Sequence, residues 1–196
     1  MKQIKCFGDL LVEKEKFKEA ALAYIQAIKY NKEEPKLYYD LGIAYCRMNE
    51  FPLAKQCFEK TIEFDSNFYN ASYRLGQIAL LYREIETAEE YFLQSIYGET
   101  EGKADYQLAK IYMILNNKNK AEMFINDAIE FDSSYFETAK QEPIFFSIKN
   151  NIKKPEEIKE PKIKETKQEK EISEYLDNTY ALTKVLNQKS NQNKKF

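Results

Sequence analysis

The chain has 196 residues, 43% of them apolar and 32% charged, with five glycines, five prolines and a formal net charge of -2. That balance suits solvated helices better than a compact sheet, and it argues against a general nucleic-acid binder, which needs surplus Lys and Arg to displace counterions from phosphates. Histidine is absent, so the commonest general base and the commonest metal ligand are both missing, and an enzyme, a cofactor or a metal site is not expected.

The opening MKQIKCFGDLLVEKEK holds no apolar run of signal-peptide length, and no later stretch approaches the roughly 20 apolar residues of a membrane span. A cytoplasmic protein with no membrane partner is expected. Cys6, Cys46 and Cys57 are odd in number and form no C-x-x-C pair, which suggests neither a disulfide framework nor a zinc site. No Gly-rich phosphate loop and no Ser/His/Asp set can be assembled.

From Phe7 onward the chain repeats itself. FGDLLVEKEKFKEAALAYIQAIKYNKE (7–33) falls on LGIAYCRMNEFPLAKQCFEKTIEFDSN (41–67) at an offset of 34 residues. LGQIALLYREIETAEEYFLQSIYGET (75–100) follows 34 further on, and LAKIYMILNNKNKAEMFINDAIEFDSS (108–134) another 33. A period of that size marks a solenoid, with repeats at 1–34, 35–68, 69–101 and 102–135.

Gly8, Gly42, Gly76 and Ala109 share one column, and Ala20, Ala54, Ala88 and Ala121 share another. Bulky columns run between them: Phe7, Leu41, Leu75 and Leu108; then Tyr24, Phe58, Phe92 and Ile125; then Ile28, Ile62, Ile96 and Ile129. Each copy therefore reads as two amphipathic helices joined by a polar turn such as RMNEF or LYREI. A glycine inside a helix costs about 1 kcal/mol relative to alanine, so three in register predict a close backbone approach that seats an aromatic from the second helix against the first.

The residue missing from the last copy falls near Gly98 and Gly102, where a soft joint is expected. FETAKQEPIFFSIK (136–149) offers Phe136, Ala139, Phe145, Phe146 and Ile148 as a helix capping the fourth repeat. Residues 150–170 alternate Lys and Glu around two prolines and read as an extended charged linker. Over 171–190 helical spacing resumes, with Ile172, Tyr175, Leu176, Thr179, Leu182 and Leu186 on one side, and 191–196 read as a frayed tail.

With a small residue at the eighth position and alanine at the twentieth of a 34-residue unit, residues 1–135 resemble the tetratricopeptide-repeat (TPR) family. The resemblance implies an all-α, right-handed solenoid whose first helices line a concave groove for a peptide or helix of a partner protein. It implies an adaptor or co-chaperone-like scaffold that acts by binding. The alternative is a self-associating, oligomeric or self-regulated assembly unit whose C-terminal helix docks on its own or a neighbouring array.

The repeat frame names the groove residues: Lys5, Tyr39, Tyr73 and Tyr106 at the fifth position, Asp40, Arg74 and Gln107 with Cys6 at the sixth, and Asp9, Ile43, Gln77 and Lys110 at the ninth. One turn further stand Val12, Cys46, Leu80 and Met113. Three tyrosines in one column are expected to form a ladder of anchors. Family members that grip chaperone C-terminal carboxylates use two Lys, two Asn and one Arg. The matching positions here hold Lys5, Asp9, Asp40, Asn70 and Arg74, and two carboxylates facing a dicarboxylate repel it, so that activity is not expected.

Overall fold

A computed structural model describes residues 2–98 and 102–155. The linker from residue 156 on, the C-terminal helix expected over 171–190 and the tail at 191–196 lie outside the described residues. Those described form nine α-helices and one 3-10 helix, with no strand. In chain order the helices are α1 (Lys2–Glu13), α2 (Phe17–Tyr30), α3 (Pro35–Arg47), α4 (Phe51–Phe64), α5 (Tyr69–Leu81), α6 (Ile85–Ser95), α7 (Lys103–Ile114), α8 (Lys118–Phe131) and α9 (Ser134–Gln141). The 3-10 helix spans Pro143–Ile148.

Each odd-numbered helix up to α7 packs on the helix that follows it, and α2, α4 and α6 pack in turn on the first helix of the next pair. The chain is thus an all-α stack of two-helix units. Within each unit the turn has one design. Glu15, Asn49, Arg83 and Asn116 all have positive φ, between 56° and 61°, and they stand at the same repeat position. Each lies just past its helix, with the next amide reaching five residues back, as Glu50 N does to Tyr45 O at 2.9 Å and Asn117 N to Tyr112 O at 2.8 Å. This is the left-handed C-terminal cap that glycine or asparagine adopts most readily. Pro35 at the start of α3 and Pro52 in the first turn of α4 sit where a missing N–H costs nothing.

The glycine column does what its register requires. A Cβ on Gly42 would stand 2.7 Å from Cε1 and 3.0 Å from Cδ1 of Phe58, and Gly8 and Gly76 meet Tyr24 and Phe92 in the same way. Phe58 and Phe92 are fully buried. In the fourth unit both sides of the contact change together: Ala109 faces the fold's interior with Ile125 in the aromatic column, and both are fully buried. The added methyl goes with a side chain that has lost its ring.

The soft joint expected near Gly98 and Gly102 falls on residues 99–101, which lie outside the described residues. Gly98 is pressed against the Tyr69 side chain, and Gly102, at φ 74°, packs against Ala128 and Phe131. Close approach explains Gly98, and at Gly102 the left-handed φ that favours glycine adds to it. The helix expected over 136–149 is broken in two, because Pro143 forces Glu142 into an extended conformation at ψ 125°. Phe136, Ala139, Phe145 and Ile148 of these two pieces are buried in one cluster with α7 and α8. The first residues of the expected linker are also held: Ile152 is buried, Asn151 donates to Glu122 at 2.6 Å, and Lys153 N donates to Asn126 at 3.0 Å.

Candidate partner-binding face

The first helices of successive units place their fifth, sixth and ninth positions side by side. Lys5 shows the register. Its Nζ lies 2.9 Å from Asp9 Oδ2 in its own helix and 3.2 Å from Asp40 Oδ2 in the next unit's first helix. Asp40 also pairs with Lys36 at 2.8 Å, and Asp9 accepts a hydrogen bond from the Tyr24 hydroxyl at 2.8 Å. Burial acts to lower the Lys5 pKa, and the carboxylates of Asp9 and Asp40 more than offset it, so the ammonium titrates above its usual range. Burial, with Asp9 beside it, pushes the Tyr24 phenol up. The two carboxylates are therefore neutralised within the chain by two lysines.

The middle of the face is different. Arg74 donates to Gln77 at 2.9 Å and makes no ion pair among the described residues. Gln77 donates in turn to the Tyr73 hydroxyl at 3.4 Å, and Gln107, from the next unit, lies near enough to the same hydroxyl to act to lower its pKa. Burial raises the Tyr73 phenol against the opposing pull of Arg74 and Lys103. Cys46 is likewise raised by burial, with Arg74 pulling the other way. The register thus gathers Tyr73, Arg74, Gln77 and Gln107 into one polar cluster whose guanidinium has no ion-pair partner among the described residues.

The three tyrosines are not equally open. Tyr39 and Tyr73 are half-buried, their rings 5.6 Å and 5.5 Å from those of Phe58 and Phe92, so each leans on the aromatic that fills its own unit. Tyr39 also lies 4.9 Å from Phe68 and carries Lys36 over its ring at 4.8 Å. Tyr106 is buried under Tyr135 and Phe145 at 4.8 and 5.8 Å. The ladder expected from the column thus has two open rungs, and the capping segment covers the third. Lys110 is engaged at that end too, 3.1 Å from Glu142. Ile43 is half-buried against the α4 and α5 cluster.

Residue types in columns did not disclose Lys36 or Glu142. Lys36 was detectable as the i,i+4 partner of Asp40. Glu142 is 32 residues from Lys110 and follows from no local spacing. Among the described residues no group of His, Cys, Asp or Glu could hold a metal ion, and no helix is long and apolar enough to cross a membrane.

Comparison with known proteins agrees with this architecture. A family model described as "TPR repeat" matches residues 8–49, and one described as "Tetratricopeptide repeat" matches residues 104–135. Hsp70-Hsp90 organizing protein 2 of Arabidopsis thaliana is 26% identical over 89 residues, covering 45% of this chain and 16% of that protein. Sperm-associated antigen 1 of Rattus norvegicus is 31% identical over 68 residues, 35% of this chain and 8% of that protein. The chain therefore spans a small part of the curated relatives it matches. Among solved structures, MamA from Desulfovibrio magneticus RS-1 superposes with a TM-score of 0.66 at 19% identity, covering 80% of this chain and 89% of that one. YrrB, described as a TPR protein with an unusual peptide-binding site, superposes at 0.64 and 19%, covering 79% and 80%; at such identities the likeness is one of fold alone. The two matched segments thus carry tetratricopeptide repeats, and the unit repeated between and around them in an all-helical paired stack is the architecture such repeats build.

Proposed function

We propose that the chain is a protein-interaction scaffold that holds a peptide or helix of a partner on the face made by α1, α3, α5 and α7. The observation that carries this reading is Arg74. It is a cation beside Tyr73, Gln77 and Gln107 with no carboxylate partner among the described residues, whereas the acidic end of the same face is neutralised by Lys5 and Lys36. Tyr39 and Tyr73 supply ring surface fixed by packing, which costs little entropy to use as an anchor. The organizing proteins among the relatives, by their names, act on Hsp70 and Hsp90, and an adaptor role of that general kind fits here. The altered clamp argues against the same chaperone tails as ligand.

A photo-crosslinking amino acid at position 77, compared with one at position 86 on the exposed side of α6, tests the reading in the native cell. A protein captured from 77, not from 86, and lost on Arg74→Glu supports it. Capture from 86 alone, or from neither, refutes it. The second reading, in which the C-terminal stretch supplies the occupant, is carried by the apolar stripe of Ile172, Tyr175, Leu176, Leu182 and Leu186, and a self-crosslink from position 77 to that stretch distinguishes it.

A further inference from the structure

The cations of the face are paired in two ways. Lys5 and Lys36 meet Asp9 and Asp40, carboxylates that belong to the repeat helices themselves. Lys110, at the ninth position of the fourth unit, is held from outside the repeats. Its Nζ lies 3.1 Å from Oε2 and 3.4 Å from Oε1 of Glu142, the residue between α9 and the 3-10 helix. Both oxygens of one carboxylate therefore face the ammonium.

The backbone fixes Glu142 there. Its amide donates to Thr138 O at 3.1 Å and its carbonyl accepts from Phe145 N at 3.1 Å. Pro143 holds it extended, and Phe145 and Ile148 behind it are buried. The same carboxylate lies near enough to the Tyr106 hydroxyl to push that phenol up, with burial as the larger cause. One residue of the cap thus bears on the fifth and ninth positions of α7 together. In α3 and α5 the same positions hold Tyr39 with Ile43 and Tyr73 with Gln77, and neither pair is bonded to a carboxylate among the described residues.

A partly exposed ion pair adds little to folding, and Phe145 and Ile148 already seal this end of the core, so stability does not call for a carboxylate at this point. Its effect is to occupy a cation that an acidic ligand would otherwise use. Being part of the chain, it competes with a free ligand at an effective concentration of about millimolar or more. We propose that Glu142 is a built-in competitor: it fills Lys110 as a ligand's carboxylate would, closes the fourth unit to acidic residues, and limits the partner to one carboxylate, set against Arg74. This rests on the reading that the partner lies across the first helices. The accepted segment then carries a single acidic residue opposite α5 rather than a run of them.

The full chain and its Glu142→Gln variant, which keeps the side chain's shape and removes its charge, are each used to select from a phage-displayed library of random short peptides. The parent chain should enrich peptides with one Asp or Glu at a fixed place, and Arg74→Glu should abolish that enrichment. Glu142→Gln should enrich peptides with a second acidic residue. A synthetic copy of such a peptide should bind the variant about tenfold or more tighter than the parent in fluorescence anisotropy, an advantage that Lys110→Gln in the same background removes. If Glu142→Gln loses its helical circular dichroism, Glu142→Ala is read instead. The same single-acid peptides, bound equally by both chains, overturn the inference and leave the groove reading standing; a lowered melting temperature beside that result makes Glu142 a folding residue only. No enrichment by either chain, or enrichment indifferent to Arg74→Glu, overturns both.

Discussion

Replacing Gly42 by alanine sets two effects of opposite sign against each other. In an isolated helix the change is favourable by about 1 kcal/mol. In this fold the new methyl would stand 2.7 Å from Cε1 of Phe58 and 3.0 Å from Cδ1 and Cζ, well inside contact distance, and Phe58 is fully buried. Overpacking of this kind costs roughly 1–3 kcal/mol, and a rigid ring that must give by most of an ångström belongs in the upper half of that range. The net expectation is destabilisation by about 1–2 kcal/mol, read by urea unfolding. The decisive arm is a double-mutant cycle with Phe58→Leu, which removes the ring as Ile125 does opposite Ala109. In that background Gly42→Ala should be neutral or stabilising, giving a coupling of about 1 kcal/mol or more. If Gly42→Ala stabilises the parent chain, or if the two changes simply add, the close-approach explanation of the glycine column is wrong.

Further outcomes follow from the same contacts. Arg83 occupies the left-handed turn position that Asn49 and Asn116 fill elsewhere, so Arg83→Gly should raise stability by about 0.5–1 kcal/mol in thermal unfolding. Tyr73→Phe keeps the packing on Phe92 and removes the hydroxyl that Gln77 and Gln107 address, so it should weaken partner binding by about 1 kcal/mol with little change in melting; Tyr73→Ala would confound binding with core loss. An acidic chaperone-tail peptide should show no measurable affinity in calorimetry, with partial gain when Asp9 and Asp40 become asparagine and release Lys5 and Lys36. Burial pushes the Cys57 thiol up to about 12 from 9.0. Its folded-state pKa is raised, so its contribution to stability is intact below pH 9 and is lost as pH rises from about 9 to 12, and Cys57→Ala should flatten that part of the alkaline unfolding curve.

The repeat, its two-helix unit and the reason for Gly8, Gly42 and Gly76 could be read from the chain because each signal is local and occurs several times in register. The turn cap at Glu15, Asn49, Arg83 and Asn116 was less visible, since Glu and Arg do not advertise a left-handed conformation and only the two asparagines hint at it. Tyr106 was misjudged as an open rung because, besides Tyr135, which packs on it as Phe68 does on Tyr39, it is covered by Phe145, 39 residues further on and outside the repeat frame that made the column meaningful. The neutralised state of Asp9 and Asp40 depended on Lys5 crossing between units, a contact that spacing permits but does not require. The break at Pro143 was written in the sequence but outweighed by the apolar residues on either side of it.

The central claim, that a partner lies across the first helices, is tested most directly by tyrosine-selective modification of the chain with and without the captured partner. Tyr39 and Tyr73 are half-buried on the proposed face, whereas Tyr30 and Tyr82 are exposed, at 73% and 51%, away from its named residues. The account predicts that the partner suppresses modification of Tyr39 and Tyr73 while Tyr30 and Tyr82 react as before. Suppression at Tyr30 or Tyr82 with Tyr39 and Tyr73 unchanged would contradict it.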